Sequence, residues 1–166
     1  MSVSEVQIRN KRSKPSCKAK AVDFLARSDQ SIKRLTEKLQ RKEYSDEEIQ
    51  TTIDWLKEKH FLQEEAGCQR RLENMYQNTT YSLRQIVAKL RQQGYDSDLI
   101  QSFVPADTAE REYQAAYKVI SRKYKAGADR QKMYQHLCMK GFGYDTARNA
   151  IEDLIYQWEN EASDQH

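Results

Sequence analysis

The sequence predicts an all-α protein of three tandem three-helix repeats that form an elongated, curved array. The first observation behind this is repetition: residues 31–56 are rewritten at 82–104 and again at 129–154. The offsets are 51 and then 47 residues, a period characteristic of stacked helical repeats. Leu39, Leu90 and Leu137 coincide in the three copies, as do Tyr44, Tyr95 and Phe142, and then Ile49, Ile100 and Ala147. The second observation is composition. Charged residues make up 32% of the 166-residue chain and the mean hydropathy is −0.98, a thin apolar supply that suits a solvent-rich array better than one large core. Two prolines and five glycines leave few breakpoints, which favours helices over a sheet.

Residues 1–20 read as a basic, flexible arm. Arg9, Lys11, Arg12, Lys14, Lys18 and Lys20 stand against the single acid Glu5, and Pro15 interrupts any continuous helix. The first repeat occupies 21–63. A short helix from Ala21 to Ser28 leads to an amphipathic stripe of Ile32, Leu35 and Leu39, spaced i, i+3, i+7 and opened by the capping hydroxyl of Ser31. The next stripe is Ile49, Ile53 and Leu56, opened by Ser45 and Glu48 at capping-box spacing.

The second repeat spans 64–105. Its first helix turns Cys68, Leu72, Met75 and Tyr76 inward, and Ser82 caps the next. Pro105 and Asp107 mark a linker to the third repeat, 106–158, whose longer first helix turns Tyr113, Ala116, Tyr117, Ile120 and Tyr124 inward. Arg130 replaces the apolar residue matching Ile32, so the first turn of copy three is expected to be exposed. Residues 159–166 read as an acidic, flexible tail. Between the two helices of copies two and three, Gly94 and Gly141 suit the left-handed residue that ends a helix; copy one has Glu43 instead, a weaker signal. Tyr44, Tyr95 and Phe142 are expected to plug these corners as core.

No enzyme is expected. There is no Gly-rich phosphate loop and no HExxH or GxSxG motif. Asp46, Glu47 and Glu48 are explained by the macrodipole at a helix start. Cys17, Cys68 and Cys138 lack metal-ligand spacing, and His60 and His136 have no partner at ligand spacing. No metal and no cofactor is expected. No apolar run is long enough to span a bilayer and no leader is apparent at the start, which predicts a cytoplasmic protein with no membrane partner, acting as a monomer.

Cations carry the functional reading. Along the first helix of each copy, outward positions align as Lys33, Arg84 and Gln131, then Arg34, Gln85 and Lys132, then Lys38, Lys89 and His136, then Lys42, Gln93 and Lys140. Arg41, Arg70, Arg71, Arg91, Lys118, Arg122, Lys123 and Lys125 add to them. Stacked repeats would carry these as a broken basic stripe, suited to an acidic groove or to phosphates. Lys and Arg also serve simply as helix formers on solvated faces.

The chain resembles the RecX family of RecA regulators over residues 21–155. The resemblance lies in three corners, Leu39-Gln-Arg-Lys-Glu-Tyr44, Leu90-Arg-Gln-Gln-Gly-Tyr95 and Leu137-Cys-Met-Lys-Gly-Phe142. It lies also in the opening Ala21-Val-Asp-Phe-Leu-Ala-Arg27-Ser-Asp-Gln-Ser31 and in Arg122-Lys-Tyr124. The chain departs from the family at Leu62-Gln-Glu-Glu-Ala-Gly-Cys68, where an L-D-D-x-R-F-A segment is usual, and at Tyr81-Ser82, where the family has G-P. The resemblance implies a non-enzymatic protein that lies in the groove of the RecA filament on single-stranded DNA. It would modulate, mostly by inhibiting, filament growth, ATP hydrolysis, strand exchange and the coprotease activity that triggers the SOS response. The alternative is an autonomous nucleic-acid-binding helical-repeat module that competes for single-stranded DNA without contacting RecA; besides the RecA filament, the partner expected is DNA, single- or double-stranded.

Overall fold

The structure is a computed structural model that describes residues 13–164. Among these it contains nine helices and no strand: α1 (Cys17–Arg27), α2 (Ile32–Gln40), α3 (Asp46–Glu58), α4 (Glu64–Asn78), α5 (Leu83–Gln92), α6 (Ser97–Phe103), α7 (Ala109–Lys123), α8 (Arg130–Met139) and α9 (Tyr144–Ser163). They pack in threes, α1–α3, α4–α6 and α7–α9, with close helix–helix contact concentrated inside each trio. Each trio has its own core. Leu35, Leu39, Ile53 and Leu56 centre the first, Leu72, Ile86, Leu90 and Ile100 the second, and Ile120, Met133, Leu137 and Leu154 the third. The fold is an all-α array of helical repeats.

Two boundaries differ from the sequence reading. Residues 1–12 of the expected arm lie outside the described residues, and 17–20 are helical: α1 begins at Cys17, four residues before Ala21. Ser16 sets this start, its Oγ accepting from the Ala19 N–H at 3.1 Å; Pro15 precedes the cap and so interrupts nothing. At the other end α9 runs through Ser163, so Glu159 and Glu161 belong to a helix and not to a flexible tail. Trp158 packs against the third core.

The helix starts follow the capping chemistry. Ser45 and Glu48 form the reciprocal box, with bonds of 3.2 and 2.8 Å, and the two bonds from Ser45 hold the Glu48 carboxyl below its ordinary range. Ser82 and Gln85 form a second box, so Gln85 folds back onto the helix end and is not an outward position.

The corners are the same in all three trios. The backbone N–H of Tyr44, Tyr95 and Phe142 donates to the carbonyl of Leu39, Leu90 and Leu137 respectively, and each ring is buried. The residue before the ring has positive φ in every copy, 92° at Gly94, 89° at Gly141 and 60° at Glu43. The corner therefore survives without glycine in the first trio. Leu39 and Leu90 are 0% exposed. Truncating either to Ala is expected to cost about 2–5 kcal/mol through the cavity left behind, measured by urea unfolding; a loss below about 1 kcal/mol would contradict this packing.

Candidate functional site

The cations of interest sit on or beside α2, α5 and α8, so the relation between these helices decides what the cations can do. The three are stacked head to tail. Ser31, the N-cap of α2, donates from Oγ to the carbonyl of Gln93 at the end of α5, at 2.6 Å. Ser82, the N-cap of α5, donates to the carbonyl of Lys140 at the end of α8, also at 2.6 Å. Each serine thus serves two helices, accepting from the first turn of its own and quenching a bare carbonyl of the next. A glutamate completes each joint. Glu64 accepts from the Ile32 N–H at 2.9 Å and Glu112 from the Leu83 N–H at 2.8 Å.

This explains the pattern of glycines. A Cβ on Gly94 would lie 2.6 Å from Ser31 Oγ, and one on Gly141 would lie 2.8 Å from Ser82 Oγ and 3.0 Å from Arg84 Cβ. Glu43 has no serine arriving from a preceding trio, so a side chain is tolerated there.

The two joints are closed differently. At the first, Arg70 makes a two-pronged bond to the Asp29 carboxylate, at 2.9 and 3.2 Å. Arg71 donates to the Asp29 carbonyl at 2.6 Å and to Gln93 Oε1 at 3.1 Å. At the second joint Arg111, unremarked in the sequence, lies over the Tyr76 ring and donates to the carbonyls of Tyr76 (2.9 Å), Thr79 (3.0 Å) and Tyr81 and to the Glu112 carboxylate (3.1 Å). Nothing in its sequence context marks it, because its acceptors are mostly backbone.

Several of the remaining cations gather into three groups, each built around a lysine beside an aromatic ring of one trio, and the first two also draw in cations of the following trio. In the first, Lys38 Nζ is 5.2 Å from the Phe24 ring. Its pKa is lowered by burial and by the charges of Arg34, Arg41, Arg71 and Arg27. In the second, Lys89 lies 4.6 Å from the Tyr81 ring, and Tyr81 shares a recess with Lys118 and Arg122. In the third, Lys123 lies 3.1 Å from His136 Nδ1, whose ring stands edge-on to Tyr124. Burial, then Lys123 and Lys140, push the His136 pKa down. Facing an ammonium, which can only donate, His136 Nδ1 accepts from Lys123.

Lys33 and Arg84 are exposed and lay their stems across Gly94 and Gly141. Arg34 reaches toward the Gln92 carbonyl at 3.5 Å. Lys42, Arg91 and Lys132 are exposed and are not drawn into these groups. Sequence reasoning put Arg70 and Arg71 with the binding cations; here both also hold a joint. It placed Arg41 among the cations but missed the contribution of Arg27, on a different helix, to the charge around Lys38.

Among the described residues no cluster of His, Cys, Asp and Glu is placed to hold a metal, and no helix is long and apolar enough to cross a membrane. Cys17 and Cys68 are buried and Cys138 is exposed, all as free thiols.

Residues 17–56 match the family model described as RecX, first three-helix domain, a match that begins on the first residue of α1. The regulatory protein RecX of Staphylococcus haemolyticus is 30% identical over 143 residues, covering 82% of this chain and 53% of that protein. That of Clostridioides difficile is 27% identical over 144 residues, covering 83% of this chain and 68% of that protein. Over most of its length the chain is similar to RecX-family proteins, and its first trio matches the family's own model. The chain spans about half the length of the staphylococcal RecX and about two thirds of the clostridial one. The crystal structure of RecX from Lactobacillus salivarius superposes with a TM-score of 0.71 at 17% identity, covering 83% of this chain and 94% of that one. At that identity the likeness speaks for the RecX fold alone.

Proposed function

We propose that this RecX-like protein regulates RecA by lying along RecA filaments on single-stranded DNA and inhibiting their recombinase, ATPase and coprotease activities. It does so by binding, with no reaction of its own, in the cytoplasm and as a monomer. One observation carries the reading: a cation–aromatic group recurs in each trio around head-to-tail helices α2, α5 and α8. An array with one such group per unit can meet a filament whose subunits also repeat, with acidic protein surface or phosphate as the counterpart. The regulatory name of its relatives supports the same role.

The test is RecA's ATP hydrolysis on single-stranded DNA with the protein titrated in at fixed salt, beside its binding to naked DNA. Inhibition is expected well below the concentration that coats the strand. No inhibition at any concentration would sink the proposal. A second reading, competition for the strand without contact to RecA, draws on the ring beside each cation, since aromatic and cationic side chains together suit unstacked bases. It wins if inhibition appears only at saturation of the DNA and falls steeply with salt.

Reversing Lys33, Lys38 and Lys89 to Glu is expected to leave the helical circular dichroism intact and to weaken inhibition at least tenfold. Full inhibition by a normally folded triple variant would return these lysines to the role of solubilising surface.

A further inference from the structure

The corner aromatics differ in one respect that the repeat does not explain. Tyr44 donates its hydroxyl to the Pro15 carbonyl at 2.6 Å, and Phe142 has no hydroxyl to place. Tyr95 is only 3% exposed, and its hydroxyl, buried beside the Arg71 guanidinium, has no acceptor for its own proton. A buried hydroxyl proton left unpaired is costly, so such a group calls for a specific partner.

The surroundings of Tyr95 say what that partner is. The residue lines a cleft of about 200 Å³ across the first joint, with Arg34, Lys38 and Arg71 also in its wall. The carboxylate at the rim, Asp29, is engaged by Arg70. Within the described residues Lys38 Nζ has neither a carboxylate nor a hydrogen-bond acceptor. Three cations therefore converge with no anion of their own, beside a donor that lacks an acceptor. The space is smaller than the ~300–1,000 Å³ of pockets for drug-sized ligands and suits a small oxyanion with a few waters at roughly 30 Å³ each.

We propose that this cleft binds a single phosphate group, held by Arg34, Lys38 and Arg71 and by the Tyr95 hydroxyl as donor. Guanidinium and ammonium donors are the usual partners of phosphate oxygens. Arg34 and Lys38 come from the first trio and Arg71 and Tyr95 from the second, so an occupant ties the two together. The phosphate is either free or part of a DNA strand, and the inference does not rest on any contact with RecA.

The test titrates inorganic phosphate against the full chain at constant ionic strength, followed by ³¹P NMR line width and by thermal unfolding. Saturable broadening and a rise in Tm are expected, weakened at least fivefold by Lys38→Met and by Tyr95→Phe and unchanged by Lys57→Met on α3. Without phosphate, Tyr95→Phe is expected to be at least as stable as the parent, because it removes a buried hydroxyl whose proton has no acceptor. An oligothymidylate without terminal phosphate that displaces the ion assigns the site to a strand backbone. Failure to displace it assigns the site to a free or terminal phosphate. Non-saturable binding, equal binding by Lys38→Met and Tyr95→Phe, or a Tyr95→Phe destabilised in phosphate-free buffer would each overturn the site. RecA inhibition by the same variants, read separately, bears only on the regulatory role.

Discussion

Arg111→Ala is expected to lower the unfolding free energy by about 3 kcal/mol. The guanidinium is largely buried, its side chain 16% exposed, and it quenches backbone carbonyls at the end of α4 and in the turn before α5. Alanine would strand these acceptors and also leave Glu112 without its cation. Arg111→Lys is expected to recover less than half of the loss, because an ammonium cannot reach several divergent carbonyls and stack over the Tyr76 ring as a planar guanidinium does. Urea unfolding of the three proteins decides it. A loss under about 1 kcal/mol, or full recovery with lysine, would mean that water satisfies these carbonyls.

The joint glycines should produce a comparable loss with a different signature. Gly94→Ala and Gly141→Ala each put a Cβ at positive φ, costing roughly 1–2 kcal/mol on its own, and press it against the serine of the preceding trio. A total of about 2–4 kcal/mol is expected for each. Glu43→Gly relieves the same backbone strain where no serine arrives and is expected to change stability by less than about 1 kcal/mol in either direction.

The stability of a repeat array is a sum of unit and interface contributions, so a damaged joint should also uncouple its neighbours. Trp55 belongs to the first core and Trp158 to the third. Fluorescence of single-tryptophan variants, Trp55→Phe and Trp158→Phe, can follow each end separately. With Gly94→Ala the two transitions are expected to separate. Coincident transitions together with a small loss would show that the serine contact is dispensable.

Much of this architecture was legible because it is local. The stripe of Leu35 and Leu39, the box of Ser45 and Glu48 and the corner rings are set by spacings within a few residues, and the structure has them in place. What was not legible depends on partners far along the chain. Arg70 reads as one more surface cation until Asp29, 41 residues away, is brought beside it. Glu43 gave a weaker sign of a left-handed corner than glycine would. That corner is imposed instead by burial of Tyr44 and by the Leu39 carbonyl bond, which act whatever the preceding residue. The start of α1 was misplaced because Pro15 was weighed and the capping hydroxyl of Ser16 was not.

The closures of the two joints differ in a way that bears on mechanics. The first is held by Arg70 and Asp29 with side chains 55% and 42% exposed, a pair that added salt screens. The second is held by a guanidinium sheltered from solvent, which salt hardly reaches. Ionic strength therefore acts on stiffness unequally along the molecule. As salt rises the first joint, still held by Ser31 and Arg71, is expected to loosen more than the second.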